Sequence, residues 1–266
     1  MAKKTVSKTS SKKSPSAKKT SKKSANGHLR TAKLRGEVIH PKAFRSGEAT
    51  WRIFRIMAEF VDGYEFLSQL SADVTVFGSA RLKAGTKYYR EAEKLSGLMA
   101  KAGLSVITGG GPGIMEAANK GAHQAGGESI GLNIQLPFEQ RINKWVRHGL
   151  GFHFFFTRKV MLTSPSQVFV AFPGGFGTMD EIFEVLTLIQ THKMQQVPVI
   201  LYGADFWTPM VEHFIRPQMV QKLKTISPED LDIFHIVDTP AQAMEVMKPA
   251  LKNKDRAGHT HAPDSK

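Results

Sequence analysis

Glu181 ends the stretch PGGFGTMDE, Pro173 to Glu181, and two roles are open to it. As the last residue of Thr178-Met179-Asp180-Glu181 it fits a capping box, in which Thr178 caps a helix and the glutamate reaches back to the cap's own N–H. Such a cap is worth about 1 kcal/mol. As a carboxylate beside closely spaced glycines it is instead placed to act on whatever lies on that backbone. A cap needs no Pro-Gly-Gly-x-Gly in front of it, which favours the second role without closing the first. Upstream, GFHFFFTRKVMLTS carries Arg158 and Lys159 just ahead of the apolar run VFVAF. Arginine is a permanent cation suited to phosphate or to orienting a carboxylate. The alternative for the pair is an ordinary helix surface.

Two more turns are rich in glycine: FGSAR (77–81), with Gly78 and Ser79, and TGGGPGIME (108–116), with Gly110, Gly111, Gly113 and Glu116. A glycine-rich turn from strand to helix lets the backbone approach a ligand and aims its free N–H groups outward. Phosphate binds there through those donors and the positive end of the helix dipole. Two such turns on one sheet point to a phosphorylated ligand, although FGSAR is also explained as a tight turn. The dinucleotide spacing G-x-G-x-x-G is absent, because Glu116 and Asp180 stand where its last glycine should be, and a carboxylate there opposes pyrophosphate. No G-x-x-x-x-G-K-[ST] occurs, so an ATP-hydrolysing P-loop is unsupported.

The elements that must position these turns alternate along the chain. The apolar runs VTVF (74–77), SVIT (105–108), SIGLNI (129–134), VFVAF (168–172), VPVILYG (197–203) and FHIVD (234–238) are separated by helical patterns. Apolar strands without polar alternation predict a parallel sheet covered on both faces. That is a doubly wound, Rossmann-like α/β domain, in which ligands bind beyond the carboxyl ends of the strands. Ahead of the first strand, TWRIFRIMAEFVDGYEFLSQL is apolar on nearly every face and predicts a helix buried on more than one side, partly against another subunit.

The formal charge of +14 sits in the tails. Residues 1–36 hold ten Lys and two Arg without an acid, and 252–266 hold four basic and two acidic residues, which leaves 21 of each sign in 37–251. Three segments are therefore expected: a disordered Lys/Ser-rich head (1–36), one folded domain (37–251) and a flexible tail (252–266). The head is either a weak nucleic-acid or polyanion contact, acting by counterion release, or simply a solvated arm. With no cysteine, a thiolate metal site and a cysteine nucleophile are excluded, and the histidines show no paired ligand spacing. No apolar run reaches the ~20 residues that span a bilayer. A soluble, cytoplasmic protein without metal or membrane association is expected.

The segments TWRIFRIMAEFVDGYEFL, VTVFGSAR, VITGGGPGIMEAANKGA, GLNIQLPFEQ, FFFTRKVM, FPGGFGTMDEIFEVLTLIQ and SPEDLDIFHIVD resemble the LOG (LONELY GUY) family, long labelled "lysine decarboxylase-like". The similarity covers residues 48–250, and PGGxGTxxE with an upstream RK is specific to the family. It implies a phosphoribohydrolase that cleaves the N-glycosidic bond of purine nucleoside 5′-monophosphates, AMP or cytokinin ribotides, to free base and ribose 5-phosphate. The family's catalytic Arg and Glu fall on Arg158 and Glu181, and its phosphate-holding turn on Gly174, Gly175, Gly177 and Thr178. Substrate contacts are further expected from Gly78, Ser79, Gly110, Gly111, Gly113 and Lys159. Glu116 and Asn119 are expected at ribose or base, with a helix surface as their alternative.

Departure of a purine leaves an oxocarbenium-like ribosyl cation, which suits a carboxylate that stabilises it or activates water. That role falls to Glu181. Arg158 then positions phosphate and ribose or assists the leaving base. Homodimers or higher oligomers of dimers are implied, without a cofactor. Decarboxylation of lysine would require pyridoxal phosphate on a Schiff-base lysine, for which no residue stands out. SPSQ (164–167) departs from the family pattern without touching a catalytic position. The rival expectation is a non-catalytic module that binds a nucleotide or molybdenum cofactor, against which Arg158 and Glu181 argue.

Overall fold

Among the described residues, seven parallel strands form one sheet in the order β4-β3-β2-β1-β5-β6-β7. The structure, a computed structural model, describes residues 48–70, 74–135 and 142–257, all within the unit Gly36–Lys266. The basic head and the last residues of the tail, 258–266, lie outside the described residues, as does any nucleic-acid contact expected of the head. In chain order the elements are α1 (Glu48–Ser68), β1 (Val74–Phe77), α2 (Lys87–Lys101), β2 (Val106–Thr108), α3 (Ile114–Gln124), β3 (Ser129–Ile134), β4 (His148–Phe152) and α4 (Phe155–Thr163). There follow β5 (Val168–Ala171), α5 (Phe176–Gln190), β6 (Val199–Tyr202), α6 (Ala204–Met210), a π-helix (Val211–Lys222), a 3₁₀ turn (Pro228–Ile233), β7 (Phe234–Val237) and α7 (Pro240–Ala257).

Side chains alternate across the sheet, yet β1, β2, β3, β5 and β6 are buried at every position. Val74, Val76, Val168 and Val170 point into one core with α2, α3 and α7. Phe77, Phe169 and Ala171 point into the other, with Leu67 of α1, Met161 of α4, Ile182 of α5 and Trp207 of α6. Two covered faces are why these strands read as unbroken apolar runs. Each large side chain so buried contributes about 1.5–3 kcal/mol.

The doubly wound expectation holds. β1 pairs with β2 on one side and β5 on the other, so the chain builds outward to β4 and then returns to the far side of β1. The direction reverses between β1 and β5, and the carboxyl ends there flank the crevice that such a sheet offers a ligand.

Four local features differ from the sequence expectation. β4, HGLGF, is absent from the expected strands: as the outermost strand it is only partly buried, and two glycines interrupt its apolar pattern. α1 buries Leu67 and packs Phe60, Phe66 and Leu70 against the core, but Trp51 (72% exposed), Phe54, Met57 and Val61 (63%) project from its other side. The helix after β6 widens into a π-helix containing Pro217, which has no N–H to donate. α7 runs to Ala257, beyond the boundary expected at 251. Among the described residues no helix is long and apolar enough to cross a membrane.

Candidate active site

The three glycine-rich turns meet at the switch point. Ser79 N–H donates to Pro173 O at 3.1 Å, and Ile114 N–H donates to Ser79 O at 3.0 Å, so the turn after β1 ties the other two together. Gly78 has no room for a Cβ, because Ile114 packs against its Cα. Gly113, with φ +71°, likewise leaves no room for a Cβ against the Ser79–Ala80 backbone.

α5 starts earlier than the capping-box reading requires. Its N-cap is Gly175, with no side-chain cap, and Phe176 is its first residue, so Thr178 and Glu181 lie inside the helix. Thr178 is buried, with its hydroxyl packed over Gly174, where a Cβ would collide. Beyond Gly175 and Gly177 there is open space within 4 Å of where a Cβ would sit. The N–H groups of Phe176, Gly177 and Thr178 have no acceptor within the helix. They present the positive end of α5 at the edge of the crevice. Phe176 is 96% exposed beside them.

Freed of a capping role, Glu181 turns inward. Its side chain is 7% exposed, and Oε1 lies 3.6 Å from Nη2 of Arg158, itself 14% exposed. Arg158 stands in the first turns of α4. Its guanidinium reaches over the turn after β2, 3.3 Å from where a Cβ on Gly109 would sit, and against the Phe155 ring at 5.5 Å. Burial pushes the Glu181 carboxyl up to about 7, although Arg158 and Lys159 pull it down. Burial also lowers the pKa of Arg158. A buried acid poised near neutrality beside a buried cation is what acid–base chemistry needs, and perturbed groups of this kind gather at functional sites.

Lys159 is not free to meet a ligand in the same way. Its Nζ lies 2.9 Å from Asp180 and 3.0 Å from Glu184, the acids flanking Glu181 along α5. Burial alone would lower its pKa, but the hydrogen bonds it donates to both carboxylates raise it. Lys159 therefore offsets two negative charges next to the Arg158–Glu181 pair. Beyond it, a shallow depression of about 440 Å³ is lined by Phe176, Met179, Phe183 and Leu188 on the outer face of α5.

Asn119 is fully buried, not at a helix surface. Its Oδ1 accepts from Thr108 Oγ1 at 2.6 Å and from Asn143 Nδ2 at 2.9 Å, and its Nδ2 donates to Ser129 Oγ at 2.9 Å and Ile130 O at 3.2 Å. Every polar atom it has is committed inside the protein. Thr108 Oγ1 in turn accepts from Gly110 N–H at 2.9 Å, and the Asn143 amide reaches the carbonyls of Gly110 and Gly111. Asn119 thus shapes the turn that carries Gly110 and Gly111 instead of lining it. Glu116, half-buried in the first turn of α3, is near enough to Tyr89 to add to the burial that raises that phenol's pKa.

Sequence reasoning missed Asn143 and Thr108 as supports of this turn, and Glu59 of α1, whose carboxylate meets the start of α4. Thr108 and Glu59 lay within the glycine-rich and helical stretches already named, and Asn143 did not; no local pattern marks Glu59 or Asn143 as a support, since their partners are far away along the chain. Among the described residues no cluster of His, Asp or Glu has the makings of a metal site.

A family model described as "possible lysine decarboxylase" matches residues 115–247, half of the chain. The cytokinin riboside 5′-monophosphate phosphoribohydrolase of Rhodococcoides fascians is 32% identical over 157 residues, covering 54% of this chain and 78% of that protein. A probable cytokinin riboside 5′-monophosphate phosphoribohydrolase of Oryza sativa subsp. japonica, LOGL5, is 29% identical over 145 residues, 53% of this chain and 58% of that protein. Among solved structures, the molybdenum cofactor carrier protein of Chlamydomonas reinhardtii aligns with a TM-score of 0.52 at 24% identity, over 69% of this chain and 99% of that one. That is a likeness of fold alone.

Proposed function

The chain belongs to the LOG (LONELY GUY) family, and from that premise we propose that it hydrolyses the N-glycosidic bond of purine nucleoside 5′-monophosphates, releasing free base and ribose 5-phosphate. The observation that carries this reading is the buried Arg158–Glu181 pair beside the open start of α5. The 5′-phosphate rests on the N–H groups of Phe176, Gly177 and Thr178, where the glycines leave the backbone uncovered. Anchored there, the ribose is held against Glu181, and the cost of fixing it is met by remote binding. As the C–N bond breaks, its electron pair leaves with the purine and positive charge grows on the ribosyl ring. The Glu181 carboxylate stabilises that charge and takes a proton from the attacking water, whose oxygen forms the new bond to the anomeric carbon; that proton then passes to the departing purine, which leaves as the neutral base and restores the carboxylate. Arg158 orients phosphate and ribose.

Both AMP and cytokinin ribotides fit this chemistry, because the reacting bond and the phosphate are common to them. The relatives' names favour the cytokinin ribotides. The activity in the family model's description is not supported by Lys159, the candidate site's lysine, since its amine is already engaged by Asp180 and Glu184. The uncovered apolar side of α1 is assigned to a second copy of the chain.

The test incubates the protein with AMP, GMP, CMP, isopentenyladenosine monophosphate and unphosphorylated adenosine, and follows free base by chromatography. Base is expected from the purine monophosphates, far less from adenosine, and roughly 10²–10⁴-fold more slowly from AMP with Glu181→Gln. Nucleotide binding without release of base by the wild type would sink the hydrolase and leave a binding module.

A further inference from the structure

The helix that carries Arg158 begins without a cap of its own. Phe154 is the N-cap of α4, its side chain makes no capping bond, and no acid stands in the first turn. The missing acceptor comes from α1. Glu59 Oε1 accepts from His153 N–H at 2.7 Å, and Oε2 lies 3.3 Å from Phe154 N and 2.6 Å from Thr157 Oγ1. A carboxylate at a helix N-terminus both satisfies open donors and opposes the positive end of the dipole. One turn further along α1, on the same face, Gly63 lets that helix close on α4: a Cβ there would sit 2.7 Å from Met161 Sδ. α4 is thus held by α1 at two points, one at its start and one along its length.

The bond to Phe154 leads directly to the candidate site. Arg158 N–H donates to Phe154 O at 3.3 Å and closes the first turn on the residue whose own N–H faces Glu59. The direction in which the Arg158 side chain leaves the helix is fixed by that turn.

We propose that Glu59 is a positioning residue: its carboxylate on α1 caps α4 and thereby sets the Arg158 guanidinium opposite Glu181. The inference rests on the reading above in which Arg158 serves the hydrolysis, and it adds a residue that contacts neither substrate nor the Arg158–Glu181 pair. It also gives α1 a part in the chemistry beyond packing.

The experiment is a double-mutant cycle on the full chain, with kcat/KM for AMP and AMP affinity by calorimetry as parallel readouts and melting temperature as the check on folding. Glu59→Ala is expected to lower kcat/KM roughly 10–100-fold, the scale on which small misplacements of a catalytic group act. Glu59→Gln keeps one acceptor oxygen and falls between it and the wild type. In the Arg158→Ala background Glu59→Ala should cost nothing more, because the effect travels through Arg158. Glu65→Ala, an exposed change on the same helix, should leave activity unchanged. Should Glu59→Ala fail to fold, Glu59→Gln and Thr157→Val, which removes one donor to the carboxylate, complete the cycle. Folded Glu59 variants with wild-type kcat/KM, or losses that add to those of Arg158→Ala, overturn the proposal. If the wild type releases no base, the hydrolase reading fails on its own. The same cycle in AMP affinity then decides for or against Glu59.

Discussion

Glu181 and Arg158 attract each other without satisfying each other. Their closest atoms, Oε1 and Nη2, are 3.6 Å apart, beyond ordinary hydrogen-bond reach. Glu181 Oε2 and Arg158 Nε are buried with no hydrogen-bond partner among the described residues. Buried polar atoms left in this state cost stability and are rare in folded proteins. A structural ion pair would be expected to close. This one keeps an oxygen and an N–H available to a third party, which is why it reads as a site and not as a brace.

The pH dependence of kcat follows from the burial of Glu181. In the proposed mechanism the group acts as the carboxylate, and its pKa is raised to about 7 by burial, so activity should be full above that value and lost as pH falls through it. Well below, the loss approaches tenfold per pH unit. Arg158→Met removes the nearest cation holding that pKa down and should move the limb to higher pH. A pH–rate profile on AMP checks both. A limb that stays in place in Arg158→Met would separate the pair electrostatically.

Two neighbouring glycines should respond in opposite ways. Gly174→Ala drives a methyl into the Thr178 hydroxyl and should cost about 1–3 kcal/mol, or roughly 2–4 °C in melting temperature for each kcal/mol. Gly175 has φ −96° and open space around it, so Gly175→Ala should melt like the wild type. It nevertheless covers the donors at the start of α5, and AMP affinity should weaken by roughly tenfold or more. Calorimetry and thermal melts on the two variants separate packing from binding.

The sheet was legible in the sequence wherever burial on both faces erased polar alternation, and β4 escaped because Gly149 and Gly151 leave no apolar run to see. The three glycine-rich turns were expected at the carboxyl ends of strands; that they meet is added by the structure, in which β1 lies between β2 and β5. The capping box did not survive, since T-x-x-E is the same four letters whether the helix starts at Thr178 or, as here, at Phe176. What decides is the glycine-rich approach, which lets the chain enter the helix early. Asn119 and Lys159 were harder, because a residue name does not say whether its polar atoms are already spoken for. For Asn119 they are taken by Thr108, Asn143, Ser129 and Ile130.

The uncovered side of α1 should hold two copies of the chain together. Trp51, Phe54, Met57 and Val61 form an apolar stripe that water would otherwise wet. Phe54→Glu combined with Val61→Glu should shift the protein toward monomer in light scattering coupled to gel filtration. A wild-type protein that is monomeric at micromolar concentration would assign that stripe to something else.

The bonds from Ser79 to Pro173 and from Ile114 to Ser79 couple the three turns as a mechanical unit. No one of them can lift away without breaking a backbone bond to its neighbour. In hydrogen-exchange terms, the amides of Ser79 and Ile114 should open together, with one free energy set by the β1–β5 seam and not by the looseness usual in surface turns. On the proposed function, a nucleotide arriving at such an edge would find its acceptor site already assembled, and its association should follow a single exponential phase.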